Sequence, residues 1–276
     1  MRDSAESPPL SVAQAREADR GRKTLIPFHG HPFLAYLFSE LAEAGVERVC
    51  VVVGPGRDDP VRRAAEALDP GRVALEFAVQ ERPRGTAHAL AAARDFVLRE
   101  SGVEPAPVAA RGAVGRARED PGFLVVNADN IYPASSIRAV GERSGHALAG
   151  FRPDGLLTGT ITRERLASFA LLTADPDGCL DTMVEKPDDR ERAGLGSEAL
   201  VSMTLWRFEP EIFEACDRIS RSSRGEYELP DAALWLVRER ARCVEVVPVN
   251  APVMDLTYRR DIPLVERLLA GREPSP

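Results

Sequence analysis

Short apolar runs that end in a turn or a polar side chain alternate along this chain with stretches whose apolar residues recur at helical spacing. The sharpest run is Phe123–Val126, which leads directly into Asn127-Ala128-Asp129-Asn130. A continuous apolar run of this kind is typical of a strand buried on both faces of a parallel sheet. Because ligands of open α/β sheets bind beyond the carboxyl ends of the strands, Asp129 is predicted to stand at the mouth of a site.

The same patterns predict the remaining elements. In the first half, strands are predicted at 49–53, 73–79, 123–126 and 147–151, and helices at 33–44, 60–68, 86–98 and 134–140. In the second half, a strand pair is predicted at 169–172 and 179–185, further strands at 199–208 and 243–247, and helices at 209–216, before Arg240 and at 261–270. This alternation predicts an α/β fold with a Rossmann-like mixed, mainly parallel sheet flanked by helices, and a smaller β-rich part.

The 276 residues suffice for a large α/β domain with a sizeable core. Residues 1–22 are polar and are interpreted as an N-terminal linker, and 23–276 as a single domain. Residues 101–120 are rich in Ala, Pro, Gly and Arg and are interpreted as a flexible insertion.

Composition excludes several classes of function. The net charge of -7 argues against a nucleic-acid-binding protein, which needs a basic face. No apolar run approaches the length of a membrane span, and no secretory signal is present, so a cytoplasmic location is expected. The four cysteines form no C-x-x-C pair; Cys50 and Cys243 lie in apolar runs and are predicted to be buried free thiols of a reducing compartment.

Lysine usage adds a sharper observation. Of 36 basic residues, only Lys23 and Lys186 are lysines, and the others are arginines. Lys carries a compact point charge on a flexible stem, whereas Arg presents a broad planar fork. Genome composition explains the bias towards Arg, but the two retained lysines are candidates for positions at which the fork does not fit.

The polar residues that follow the apolar runs suit a phosphate-bearing ligand. They are Lys23, Gln80, the helix start at Gly85-Thr86, Asp129, Glu185-Lys186 and Asp255. Thr86 is predicted to cap the helix whose N-terminus would bind an anion. Two carboxylates match the ligands that Mg²⁺ takes together with substrate phosphates. The sequence shows no order of residues typical of a Ser-His-Asp triad or a zinc site, which favours phosphate positioning over covalent catalysis.

In order and approximate spacing, five segments resemble the sugar-phosphate nucleotidyltransferases. They are Lys23–Phe33, Gln80 with Gly85-Thr86-Ala87, Asn127–Asn130, Glu185-Lys186-Pro187 and Arg224–Leu229. The resemblance extends from about Lys23 to the C-terminus. It implies the fold of the nucleotide-diphospho-sugar transferases. It also implies the reaction of a nucleoside triphosphate with a sugar 1-phosphate, which yields a nucleotide sugar and pyrophosphate.

The resemblance also implies a role for each matching residue. Lys23, Asp129 and Lys186 would be the catalytic residues, and Asp129 would hold Mg²⁺ together with Asp255. The remaining roles concern the two substrates: Gln80, Gly85, Thr86 and Asn127 would bind the nucleotide, and Glu185 with Lys186 would bind the sugar phosphate. The base and the sugar are left open.

The start of the chain departs from the family pattern, which opens with a strand and a Gly-rich loop. Met1-Arg2 is similar to the tail of that loop. Two explanations stay open: a start codon assigned too late, which we favour because the other site residues are present, or a genuine loss with impaired turnover. Either leaves a gap in the central sheet of this chain, with low stability or self-association as the expected result.

Two other functions compete with the enzyme. One is a regulator that binds a nucleotide sugar or a sugar phosphate without turnover. The other is a glycosyltransferase, which shares the fold but is typically marked by Asp-x-Asp after the central strand, whereas Asp129 is followed by Asn130-Ile131.

Overall fold

The computed structural model describes residues 1, 10–68, 70–102 and 121–276. In these residues the strands are β1 (Pro27–Phe28), β2 (His31–Pro32), β3 (Arg48–Val53), β4 (Ala74–Val79), β5 (Phe123–Val126), β6 (Asn130–Ile131), β7 (His146–Phe151), β8 (Ala170–Ala174), β9 (Leu180–Val184), β10 (Leu200–Phe208), β11 (Val244–Val249) and β12 (Met254–Asp255).

The helices of the same residues are α1 (Val12–Asp19), α2 (Phe33–Glu43), α3 (Pro60–Ala67), α4 (Thr86–Ala92), α5 (Arg94–Ser101), α6 (Ala134–Gly141), α7 (Pro153–Leu156), α8 (Arg163–Leu166), α9 (Asp189–Leu195), α10 (Ile212–Arg218), α11 (Leu229–Arg240) and α12 (Ile262–Leu268), with 3₁₀ turns at Lys23–Leu25 and Arg259–Asp261. None of these helices combines the length and the apolarity needed to cross a bilayer.

The largest sheet has β10 at its centre. One edge of β10 pairs antiparallel with β7, and β11 continues the sheet parallel to β7. The other edge of β10 pairs antiparallel with β8 near its start and with β5 near its end, and β9 pairs with β8 as a hairpin. β5, β7 and β11 therefore run in one direction, with β10 opposed to them. The predicted mixed α/β class is confirmed, and an antiparallel strand lies at its centre.

β3 and β4 form a separate two-stranded parallel sheet. Among the described residues, β3 pairs with β4 alone and β5 pairs with β10 alone. A cavity of about 890 Å³ lies between β3 and β5, lined by residues of both strands. We call this cavity the slot. Within the described residues, β3 and β5 are therefore separated by this cavity and not joined by a strand.

Two hydrophobic clusters cover opposite faces of the sheet. In β7, Ala147 and Ala149 belong to the first cluster and Leu148 belongs to the second, as the alternation of side chains along a strand requires. α2 and α6 pack in the first cluster, whereas α4, α5, α10 and α11 contribute to the second. The sheet is thus covered by helices on both faces.

Three local predictions differ from the structure. The helix predicted at 86–98 is two helices that meet at Ala93. β11 continues through Pro248, although the sequence predicted that this proline ends the strand. β11 lies at the edge of the sheet, where the missing N–H of proline is tolerated. The segment read as a linker contains α1, which begins with a reciprocal capping box between Ser11 and Gln14.

The predicted flexible insertion lies almost wholly outside the described residues. Of residues 101–120, the structure describes only Ser101 and Gly102. The prediction for this segment therefore stays a prediction.

The prediction for Cys243 is wrong. Cys243 forms a disulfide with Cys179, with the two Cα atoms 5.2 Å apart. Cys179 lies in the β8–β9 turn and Cys243 directly precedes β11, so the bond ties the hairpin to the far edge of the sheet. Sequence spacing does not reveal this pair because the cysteines are 64 residues apart. Cys50 is free, as predicted, although it is only partly buried; this burial raises the pKa of its thiol to about 11.

Candidate active site

β5 and β8 lie end to end along the same edge of β10, and polar residues collect where they meet. Val126, the last residue of β5, is paired with Leu205, and Ala170, the first residue of β8, is paired with Ser202. These positions of β10 are three residues apart, or roughly 10 Å in an extended strand. Between them, Thr204 has a φ of 59° and the register with β7 shifts. We call this place the strand junction.

Asp129 follows β5 at the strand junction and forms an ion pair with Lys23. Lys23 Nζ donates to Asp129 Oδ2 over 2.7 Å, and each side chain is 29% exposed. The 3₁₀ turn that carries Lys23 is far from Asp129 in sequence, so only the fold brings them together. Because both groups remain partly exposed, a charged ligand can reach them.

The backbone segment of Asp255 lies next to that of Asp129. β12 pairs with β6 so that Asp255 is opposite Asn130, and Leu256 N donates to Asp129 O over 3.2 Å. The Asp255 carboxylate, however, accepts a hydrogen bond from Arg165, whose side chain is only 4% exposed. Asp255 is therefore near Asp129 in the chain fold, but its carboxylate is already neutralised by a buried guanidinium.

Arg165 is a site residue that sequence reasoning missed. Its guanidinium also lies 3.3 Å from Asp261 Oδ2 and within cation–π distance of the Phe169 and Tyr258 rings. Burial raises the pKa of Asp261, against the lowering effect of its backbone hydrogen bonds and of Arg165. In the sequence, Arg163-Glu164-Arg165 has the appearance of an ordinary solvated charge run, so no signal distinguished it.

The acidic residues near the strand junction offer few ligands for Mg²⁺. Among the described residues, no group of three or more His, Cys, Asp and Glu side chains could hold a metal ion by itself. Mg²⁺ commonly takes only one or two carboxylates and completes its shell with substrate phosphates and water. Asp129 fits that use because it is partly exposed. Asp255 fits it only if its contact with Arg165 is exchanged.

Gln80 and Gly85 lie together after β4. Gln80 Nε2 donates to Gly85 O over 3.1 Å and lies 3.0 Å from His88 Nδ1. Gly85 has a φ of 110°, and a Cβ at this position would lie 2.3 Å from the carbonyl oxygen of Tyr227. Only glycine allows the two backbone segments to approach this closely.

Thr86 does not cap α4 as predicted; the N-cap is Gly85. The Thr86 hydroxyl instead accepts a hydrogen bond from Leu229 N over 2.9 Å, and Ala87 N donates to Tyr227 O. The first turn of α4 is thus joined to the start of α11.

Asn127 and Thr86 line the same cavity. That cavity is the slot, which extends from the interior to the strand junction, where Asn127, Ala128 and Thr204 lie. Next to it, the buried Asn130 donates to Met203 O over 3.1 Å, and its Oδ1 has no hydrogen-bond partner among the described residues.

Glu185 and Lys186 follow β9, whose last residue is paired with β8 next to the strand junction. Lys186 has a φ of 47°, a conformation that costs a residue with a Cβ about 1 kcal/mol or more. Arg224 lies 3.9 Å from Glu185 and 3.8 Å from Glu228. Burial raises the pKa of Glu185, and the negative charge of Glu228 acts in the same direction, while Lys186 and Arg224 oppose them.

The structure therefore gathers the predicted residues into two neighbouring groups. The first group is the Lys23–Asp129 pair with the backbone of Asp255, and the second is Glu185-Lys186 with Arg224; both lie by the strand junction. The nucleotide-binding candidates Thr86 and Asn127 line one cavity, and Gln80 donates a hydrogen bond to Gly85, the residue before Thr86.

Comparison with known proteins identifies the family of the chain. The family model for nucleotidyl transferases matches residues 18–251, which is most of the chain. The chain belongs to the nucleotidyl transferase family. Its relatives include sugar-1-phosphate nucleotidyltransferases, so the resemblance found in the sequence is confirmed.

Two curated relatives indicate the range of the family. The UTP–glucose-1-phosphate uridylyltransferase AglF of Haloferax volcanii is 24% identical over 240 residues, which cover 87% of this chain and 84% of AglF. A glucose-1-phosphate thymidylyltransferase of Streptomyces griseus is 28% identical over 247 residues, which cover 90% of this chain and 60% of that protein. Against a further relative, the nucleotidyltransferase Agl11 of Haloferax volcanii, the chain spans about half of the relative's length, 52%.

Solved structures share the fold at low identity. A putative glucose-1-phosphate thymidylyltransferase from Bacillus anthracis matches with a TM-score of 0.65 at 16% identity, over 91% of this chain and 88% of that chain. A UDP-glucose pyrophosphorylase in complex with UDP-glucose matches with a TM-score of 0.56 at 15% identity, over 89% of this chain and 88% of that chain. These likenesses support the α/β fold described above.

Proposed function

We propose that this nucleotidyltransferase joins a nucleoside triphosphate to a sugar 1-phosphate and releases pyrophosphate. The proposal is supported by the Lys23–Asp129 ion pair after β5 and by the position of Glu185 and Lys186 after β9, whose last residue is paired with β8 beside the strand junction. In the reaction, a phosphate oxygen of the sugar 1-phosphate attacks the α-phosphorus, and the bond between that phosphorus and the bridging oxygen to the β-phosphate breaks. The electron pair of that bond leaves with pyrophosphate.

The residues contribute by position and charge. Lys23 neutralises triphosphate oxygens after exchanging its contact with Asp129, and Lys186 holds the phosphate of the sugar 1-phosphate. Glu185 accepts hydrogen bonds from sugar hydroxyls, and Arg224 fixes its orientation. Gln80, Gly85, Thr86 and Asn127 bind the nucleoside. Asp129, with Asp255 if Arg165 releases it, would hold Mg²⁺, which when bound neutralises phosphate charge.

The backbone of Lys186 strengthens its assignment. A lysine in a left-handed conformation, in a chain whose one other lysine is Lys23, indicates that the side chain is needed at that place. We expect Lys186→Met to lower kcat/KM for the sugar 1-phosphate by roughly 100-fold. Lys186→Arg restores the charge but not the compact shape, so we expect only partial recovery. Arg190→Met, an exposed neighbour in α9, is the matched control.

The test is pyrophosphate release across a panel of the common nucleoside triphosphates and sugar 1-phosphates, with Mg²⁺ and with a chelator. Release that needs both substrates and falls in Lys186→Met supports the proposal. The alternative is a binding protein without turnover, and the Arg165–Asp255 pair favours it because that carboxylate is not free for a metal. Binding of nucleotide sugar by calorimetry without release from any pair would establish that alternative.

A further inference from the structure

The Cys179–Cys243 disulfide lies where a thiol in solution can reach it. Cys243 is exposed and Cys179 is half-buried. Exposed disulfides exchange readily with thiols, whereas enclosed ones resist reduction. Cys50 and Cys216 are poor partners in this exchange, because burial raises the pKa of their thiols to about 11 and about 12 and only a thiolate attacks a disulfide. A thiol reductant therefore acts on one bond of this chain.

The disulfide fixes the turn of the β8–β9 hairpin against β11. Beside the bond, Cys179 pairs with Glu245 in an isolated antiparallel bridge, and Val246 N donates to Gly178 O over 2.9 Å. Among the described residues, β9 has β8 as its one strand partner, and β8 pairs with β10 through three residues. Strand pairing thus holds the hairpin to the sheet over a short length at one place, and the disulfide with its two neighbouring contacts holds it at another.

The other end of the hairpin carries residues proposed to hold the sugar 1-phosphate. β9 ends at Val184 and leads directly into Glu185 and Lys186. Lys186 has a left-handed backbone, a conformation that persists only where the surrounding structure holds it. A hairpin that is released at its turn holds this residue less firmly, so its ammonium group samples positions that do not suit a bound phosphate.

The disulfide also separates the two substrates along the chain. Of the residues assigned above, Glu185, Lys186 and Arg224 lie inside the segment that the bond closes, from 179 to 243. Those assigned to the nucleotide and to Mg²⁺ lie outside this segment: Lys23, Gln80, Gly85, Thr86, Asn127, Asp129 and Asp255. Reduction is therefore expected to weaken binding of the sugar 1-phosphate more than binding of the nucleotide.

We propose that the Cys179–Cys243 disulfide is a redox switch that controls binding of the sugar 1-phosphate, an inference that rests on the function proposed above. A thiolate of a dithiol reductant attacks the exposed Cys243 Sγ, the S–S bond breaks, and its electron pair leaves with Cys179 Sγ, which takes a proton. The second thiolate of the reductant then displaces Cys243 Sγ from the mixed disulfide, so the reductant leaves as a disulfide and both cysteines end as thiols. The reverse exchange with an oxidised dithiol restores the bond.

The test compares the full chain in oxidised and in reduced dithiothreitol, at a temperature at which circular dichroism shows both forms to be folded. We expect reduction to raise the KM for the sugar 1-phosphate by roughly tenfold, because Lys186 is no longer held in place. The KM for the nucleoside triphosphate should stay nearly constant, and reoxidation should reverse the effect. An unchanged KM for the sugar 1-phosphate, or an equal rise for both substrates, overturns the proposal.

Two variants and a second measurement separate the switch from a general effect of the reductant. Cys243→Ser should show the raised KM in both buffers, and Cys216→Ala should respond as the parent does. Hydrogen exchange needs no turnover: reduction should make the amides of β9 and Lys186 exchange roughly tenfold faster and leave those of β5 unchanged. Equal exchange of the β9 amides in the two states contradicts the switch, whether or not Cys243→Ser folds.

Failure of the switch and failure of the proposed reaction give different results. If the oxidised chain releases no pyrophosphate from any pair of substrates, the proposed reaction is wrong, and calorimetry with glucose 1-phosphate then decides the switch. Tighter binding in the oxidised state supports it. Equal binding in the two states, or binding in neither, overturns it.

Discussion

At the scale of single residues, the charges around Asp255 are balanced inside the protein. Arg165 lies between two buried carboxylates, those of Asp255 and Asp261, and is itself buried. Removing the cation from such a group leaves carboxylates that water cannot reach. Asp255 can bind another cation only if its contact with Arg165 is broken.

Replacing Arg165 by methionine should lower the free energy of unfolding by roughly 3–5 kcal/mol at pH 7, because the two carboxylates lose their counter-ion. Denaturant titration measures this loss. Since the pKa of Asp261 is already raised by burial, its protonation at lower pH should relieve the repulsion, and the loss should be smaller at pH 4.5. The exposed Arg163→Met is the control; an equal loss in both variants would contradict this role.

His146 should make the free energy of unfolding depend on pH, and a substitution can separate its contribution. It is buried at the start of β7, where its Nδ1 accepts a hydrogen bond from Glu209 N. Burial lowers its pKa from 6.5, although Glu209 and Glu211 act in the opposite direction and Arg242 assists burial. The unfolded state therefore binds more protons than the folded state as the pH falls below 6.5, and stability falls with it.

His146→Asn keeps an acceptor near the position of Nδ1 but does not titrate. We expect the decrease in unfolding free energy between pH 7 and pH 5 to be shallower in this variant than in the parent. Above pH 7.5 the two proteins should show the same dependence on pH. Denaturant titrations across this range provide the measurement, and parallel curves from pH 7 to pH 5 would show that His146 does not contribute.

At the scale of elements, the candidate active site depends on a break in strand pairing rather than on a single loop. β10 pairs with β8 and β5 in succession along one edge, and the segments that follow β5 and β9 both begin beside the break. The second contact that shapes the site joins the segment before α4 to the segment before α11, through Arg84 O and Tyr227 N over 2.8 Å. Gly85 lies at the closest point of that contact.

Gly85→Ala should separate these two segments, because the added methyl group would overlap the Tyr227 carbonyl. We expect a loss of roughly 2–4 kcal/mol in unfolding stability and weaker nucleotide binding. Gly178→Ala is the matched control: Gly178 also has a positive φ, 84°, but meets no atom within 4 Å. A loss in Gly85→Ala no greater than in Gly178→Ala would show that the close approach is unimportant.

At the scale of the whole molecule, one covalent bond joins distant parts of the sheet. The Cys179–Cys243 disulfide closes a segment of 64 residues that contains β9, β10, α10 and α11. Cross-linking a chain over this length restricts the unfolded state and stabilises the folded one by about 4 kcal/mol in the chain-entropy description.

Cys243→Ser should therefore lower the free energy of unfolding by roughly 2–4 kcal/mol under oxidising conditions. A reductant should bring the parent protein down to the level of the variant and leave the variant unchanged. Cys216→Ala, which removes a free thiol, is the control. Equal stability of Cys243→Ser and the parent, measured by urea unfolding, would mean that the bond does not form in solution.

The sequence by itself determined the strands and most of the helices, because burial against two layers of helices forces long apolar runs such as Val49–Val53 and Phe123–Val126. It also identified Lys23, Asp129 and Lys186 as candidates, since their chemistry and their place after predicted elements can be read locally. The end of β11 was misread at Pro248 because whether a strand lies at a sheet edge is not a local property.

Only the tertiary structure decided which of those candidates meet and which are already engaged. Three contacts join residues more than 60 positions apart: the Lys23–Asp129 ion pair, the Arg165–Asp255 ion pair and the Cys179–Cys243 disulfide. No spacing rule encodes such contacts, because they arise from the order of strands in the sheet and from the burial that packing imposes on each side chain.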